Sequence, residues 1–208
     1  MTALVTLTSK GGVRLTPSEA DANVVEIERR TAVGWQNLNF HMDSSGVTNG
    51  APKALFLGEY PLDVFPADAD KYMLCKVHMP HDIANIDLYP HIHFATETTS
   101  TGTVKFKWKL IYANEYSVTE DVGTPTADQT FGPNIEGEWV INMLAEYQGA
   151  HLVAESATPL SLSETAFDGN IVMLLWRDTS VAGNYPDQIF LTYADAYYQS
   201  QGFGTAGR

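Results

Sequence analysis

The clearest pattern in the chain runs from Val104 to Tyr112. There Val104, Phe106, Trp108, Leu110 and Tyr112 alternate with Lys105, Lys107, Lys109 and Ile111. Alternation with apolar residues on one side predicts a half-buried β-strand. Met73, Cys75, Val77 and Met79 alternate in the same way with Leu74, Lys76 and His78. Leu88, Pro90, Ile92 and Phe94 alternate with Tyr89, His91 and His93, so both histidines project from the face opposite the larger apolar set. Gly102 predicts a turn after this histidine strand, which would pair it with 104–112 as a hairpin, Glu97 to Thr101 near its tip. Ile171 to Trp176 reads as a strand buried on both faces, and Gln188 to Tyr198 as a long strand rich in β-branched and aromatic residues. Many strands between Gly, Pro, Asn and Asp punctuation, with little helix, predict an all-β fold. The expected form is an antiparallel jelly-roll-like β-sandwich with Ile92, Phe94, Phe106, Trp108 and Leu110 in its core.

The pattern weakens before residue 52. Asp43 to Pro52 is polar and glycine-containing and reads as a linker. The predicted organisation is an N-terminal arm or attachment segment over 1–43, a linker over 44–52 and the sandwich over 53–208. Thr16-Pro17-Ser18-Glu19 resembles a capped helix start, while Val24 to Glu28 reads equally as a strand of an extended arm. Both readings stay open, with the arm slightly preferred. No repeat of solenoid or propeller period is evident.

Composition narrows the function. Hydrophobic residues make up 44% of the chain, enough for a full core, and charged residues only 18%, which suits a subunit that packs against neighbours. The net charge of −13 opposes a phosphate backbone, so no nucleic-acid partner is expected. Lys105, Lys107 and Lys109 form the one basic concentration and read as a solvated strand face. Cys75 is the sole cysteine, which excludes an intrachain disulfide. The longest apolar run, Ile171 to Trp176, is far short of the roughly 20 residues of a membrane span. Met1 to Gly12 does not read as a signal peptide.

Candidate chemistry centres on the histidines, four of which fall between positions 78 and 93. His91, His93 and Glu97 form H-x-H-x-x-x-E, the spacing of a cupin metal site, and imidazole with carboxylate suits iron, manganese or zinc. Against a cupin enzyme, the usual preceding glycine is missing and His151 has no motif around it. The alternation also turns His91 and His93 away from the barrel interior. The competing readings are a polar outer strand face or a subunit interface, where H-x-H from three chains could meet on an axis. Trp35, His78, Tyr89, His91 and His93 are the interface candidates. No nucleophile elbow, P-loop or dinucleotide motif occurs, so no catalytic residue and no cofactor is expected.

Val77-His78-Met79-Pro80-His81-Asp82, Tyr89 to Phe94 and Gly102 to Tyr112 together resemble a β-rich domain of tailed-bacteriophage proteins. Arg177, Asn184 to Phe190 and Ala194 to Tyr198 resemble the closing strands of that domain, so the resemblance spans roughly 54–204. Gly34-Trp35-Gln36-Asn37-Leu38 is similar to phrases near the start of phage fibre proteins. The resemblance implies a virion structural protein, a capsid decoration or a head or tail fibre subunit, assembled in the host cytoplasm. It implies a homotrimer whose partners are its own copies and major capsid or tail proteins, and it leaves open whether a host surface glycan is also bound. It carries no catalytic residues.

Overall fold

The computed structural model describes residues 34–80, 87–114, 130–132, 134–162 and 169–200. The helix-or-arm alternative at 16–30 lies outside the described residues. The strands are β1 (Gly34–Asn39), β2 (His41–Asp43), β3 (Lys53–Phe56), β4 (Tyr60–Phe65), β5 (Tyr72–His78) and β6 (Asp87–Ala95). They continue with β7 (Gly102–Asn114), β8 (Ile135–Met143), β9 (Leu152–Glu155), β10 (Leu160–Ser161), β11 (Gly169–Arg177) and β12 (Ile189–Ser200).

All strand pairings are antiparallel, in two sheets. The five-stranded sheet has the order β2-β5-β11-β7-β8. The seven-stranded sheet is centred on β6 and β12. The far edge of β6 carries β9 and β10, the far edge of β12 carries β1 and β4, and β4 carries β3. The molecule is the all-β, jelly-roll-like sandwich expected from the alternation.

The core lies between the sheets. Ile92, Phe94, Phe106 and Leu110 are fully buried and Trp108 nearly so. Phe106 of the smaller sheet packs against Phe65 and Phe94 of the larger, with ring centroids 5.9 and 5.3 Å apart. Trp108 lies opposite Gly137 in the β7–β8 register. A Cβ on Gly137 would sit 2.2 Å from the indole Cζ2, so only glycine leaves room for the ring. The lysines of β7 point outward to acids, Lys105 to Glu138 at 2.7 Å, Lys107 to Asp178 at 2.7 Å and Lys109 to Glu136 at 2.6 Å.

Four sequence expectations change. First, β6 and β7 do not form a hairpin. They belong to different sheets, and the chain between them crosses the sandwich. Gly102 serves that crossing, at φ 153°, with room for no Cβ beside the Tyr185 backbone 2.8 Å away. Second, residues 34–43 are not part of an arm. β1 joins the larger sheet and β2 the smaller, with Leu38 and Phe40 in the core. Third, the stretch read as a linker is fastened down. Ala51 is buried and donates to Tyr72 O at 2.8 Å, while Tyr72 donates to Asn49 O at 3.1 Å. Fourth, β11 is fully buried on one face only. Ile171, Met173 and Leu175 are in the core and Val172, Leu174 and Trp176 are half-buried.

Candidate functional site

The site grows from the outer face of β6 and β12. Leu88, Ile92 and Phe94 turn into the core, so Tyr89, His91 and His93 must face outward on the larger sheet. In register, His93 lies opposite Tyr193, His91 opposite Asp195 and Tyr89 opposite Tyr197. This match depends on a β-bulge. Leu191 pairs with Phe94 and Tyr193 with His93, leaving Thr192 as an extra residue. The bulge reverses the facing of everything after it. Ile189 and Leu191 before it, and Ala194, Ala196 and Tyr198 after it, all reach the core. Tyr193, Asp195 and Tyr197 are thereby delivered to the histidine face.

The polar centre of this face is closed. His91 and Asp195 are fully buried and His93 is nearly so. His91 Nδ1 lies 3.1 Å from Tyr89 O. A carbonyl only accepts, so Nδ1 carries the proton and donates. His91 Nε2 makes an ion-pair contact with Asp195 Oδ1, but without the alignment of a hydrogen bond. His93 Nε2 lies 3.2 Å from the same Oδ1, and His93 Nδ1 lies 2.6 Å from His151 Nε2. Rings cover the group. Tyr197 stacks on His91 at 4.3 Å, Tyr193 on His93 at 4.4 Å and His151 on His93 at 4.8 Å.

The charges follow from these contacts. Burial pushes the His91 imidazole down, but the Asp195 carboxylate and the Tyr89 carbonyl outweigh it and the net shift is upward. His93 is lowered, chiefly by burial, with His91 and His151 adding to it against Asp195. Burial pushes Asp195 up, yet contact with His91 and Tyr193 holds it below the usual carboxylate range.

Beside the closed centre lies an open groove of about 490 Å³, lined by Trp35, Tyr89, Glu155, Ser156, Ala157 and Tyr197. Trp35 of β1 is 55% exposed and meets Tyr89 edge-on at 5.4 Å. Tyr197 is 38% exposed on the groove side, with its ring against His91 below.

The structure redistributes the residues singled out in the sequence. Trp35 and Tyr89 meet in the groove, while His91 and His93 lie in the closed centre beside it. His78 is exposed at the end of β5, in the other sheet. Glu97 does not join the histidines. Its Oε1 accepts from the Leu57 backbone N–H, and the carboxylate that completes the group is Asp195. His91 and His93 are on the outer sheet face, but His91 is covered by this chain's own Tyr197 rather than by solvent or a second subunit. Replacing it therefore removes buried volume within the monomer. Asp195 was missed because an uninterrupted strand from 188 to 198 gives no sign of the extra residue at 192. His151 was seen but had no local motif. It joins through the pairing of the neighbouring β9 with β6.

No protein-family model matches this chain, and no curated protein does. Among solved structures it is similar to a xylan-binding module CBM15, at a TM-score of 0.34 and 8% identity over 80% of this chain and 97% of that one. It is also similar to TmCBM61 in complex with beta-1,4-galactotriose, at a TM-score of 0.31 and 12% identity over 79% of this chain and 86% of that one. A third similar structure is a Cellvibrio japonicus xylanase in complex with xylopentaose, at a TM-score of 0.31 and 10% identity, where 82% of this chain spans 27% of the other.

Proposed function

We propose that this protein is a non-catalytic attachment subunit of a tailed-phage particle, of the capsid-decoration or fibre type, that holds a neutral glycan in the Trp35–Tyr89–Tyr197 groove. The observation that carries this reading is the groove itself. A large exposed indole costs solvation unless something covers it. Trp35, Tyr89 and Tyr197 offer apolar ring surface suited to the C–H face of a pyranose, and Glu155 and Ser156 at its edge offer acceptors for sugar hydroxyls. A net charge of −13 disfavours anionic ligands and leaves neutral ones. The virion role rests on the sequence resemblance over 54–204, and a homotrimer accompanies it.

A binding protein fits this site better than a cupin-type enzyme. The histidines and Asp195 lie outside the two-sheet interior, under stacked tyrosines, while the open groove beside them holds no histidine.

Titration of the full chain with a panel of neutral oligosaccharides, followed by tryptophan fluorescence, tests the reading. Saturable quenching by at least one of them, abolished in Trp35→Ala, is the expected result. No quenching by any, or quenching unchanged in Trp35→Ala, sinks the glycan assignment. Light scattering on the same sample checks the assembly, which should weigh three times the 22.9 kDa chain.

A further inference from the structure

The contacts at His91, His93 and Asp195 conflict unless a positive charge sits among them. Because His91 Nδ1 donates to the Tyr89 carbonyl, Nε2 of the neutral ring is an acceptor, and it lies in contact with the Asp195 Oδ1 anion off the line of a hydrogen bond. Two acceptors then face each other in a fully buried place. Asp195 Oδ2 is also buried and has no hydrogen-bond partner among the described residues. Such a group calls for a cation, either an extra proton on His91 or a metal ion.

The geometry points to a mononuclear site for a divalent first-row transition ion, zinc by preference, with His91 Nε2, His93 Nε2 and the Asp195 carboxylate as ligands. Among the described residues these three are the one group whose ligating atoms lie within 4.8 Å of one another. The 3.2 Å between His93 Nε2 and Asp195 Oδ1 matches two ligands of a tetrahedral zinc shell, about 3.3 Å apart for bonds of about 2.0 Å, while His91 Nε2, in closer contact with Oδ1, draws back to that spacing to admit the ion. The outer contacts are those that metal-bound imidazoles use. His91 gives its other N–H to a backbone carbonyl, and the other nitrogen of His93 meets His151. The three ligands come from β6 and β12, so an ion would cross-link the two central strands of the larger sheet. Tyr193 and Tyr197 roof the site, and three ligands from the chain leave the fourth zinc position to a water. His151 is exposed and stacks on His93, the one of the three that is not fully buried. This inference does not depend on glycan binding.

The experiment uses the full chain, stripped with a chelator and dialysed at neutral pH. Zinc is then added, and bound metal and thermal midpoint are measured together. One zinc per chain is expected, with a midpoint that rises as free zinc rises. Cobalt in place of zinc should give the visible absorption of a low-symmetry, four-coordinate ion, and X-ray absorption of the zinc form should show an imidazole shell. These readouts need no variant. Asp195→Asn and His93→Gln should lose the bound ion. His151→Gln should keep one ion per chain with about 10–100-fold weaker affinity. No stoichiometric binding with an unchanged midpoint would overturn the site and leave a proton as the buried cation. Zinc retained in both His93→Gln and Asp195→Asn would overturn it too, by placing the metal elsewhere.

Discussion

Arg177, a fully buried cation with no carboxylate in hydrogen-bond contact among the described residues, shows how single residues hold this sandwich together. Its guanidinium donates to the backbone carbonyls of Asp187 at 2.6 Å and of Tyr185, and to Asn184 Oδ1 at 2.8 Å. Burial lowers its pKa to about 10, so it stays charged at neutral pH. A planar fork spreads five donors across the plane these acceptors occupy, whereas an ammonium offers three gathered at one point. Arg177→Lys is therefore expected to cost about 3 kcal/mol or more, the loss of two charged hydrogen bonds, read as a lower urea midpoint. Cys75 sits fully buried in β5, and burial, with Asp63 adding to it, pushes its thiol from 9.0 up to about 12. Between those values the folded chain keeps a proton that the unfolded chain has released. Stability should decline as pH rises through that window, and a thiol reagent at pH 8 should react only after unfolding.

At the scale of the element, β6 and β12 decide the chemistry. β6 was legible because Leu88, Pro90, Ile92 and Phe94 alternate cleanly against Tyr89, His91 and His93, and the same rule found β5 and β7. β1 was not legible. Gly34 to Asn39 places one apolar residue, Leu38, on its inner face, and its membership comes from the edge that β12 offers it. β12 was found as a strand, but its bulge was not, and with the bulge went Asp195. Deleting Thr192 tests the point directly. With Thr192 gone, Tyr193 follows Leu191 directly, so plain alternation keeps Leu191 inward and Asp195 outward in the same register. The deletion variant, like Thr192→Ser, should therefore retain cooperative thermal unfolding. A deletion variant that loses cooperative unfolding would mean that the bulge does more than set the facing of the residues after it.

Across the whole molecule the two outer faces differ. The larger sheet shows tryptophan, tyrosine and histidine, and the smaller shows cross-strand lysine–glutamate pairs along β7 and β8. Asp178 belongs to the second face, where Lys107 and Ser180 hold its carboxyl down at about 2. Its contribution is present above the ordinary value of 3.8 and is lost as pH falls toward 2, so the Lys107–Asp178 contact should loosen only in strong acid.

The strand order also has a consequence in time. β11 is the strand that joins β5 to β7, and β12 is the strand that joins β6 to β4 and β1. Until residues 169–200 are made, the pieces available to a growing polypeptide are β2 with β5, β3 with β4, β7 with β8, and β6 with β9 and β10. Gly34 waits for Ser200, on the order of 10–30 s at ordinary rates of synthesis. Throughout that interval, open strand edges and apolar faces stand uncovered on the ribosome. Nascent chains halted before residue 169 should remain fully sensitive to protease, with resistance appearing in one step once β12 has emerged. Chaperone occupancy during synthesis should follow the same clock.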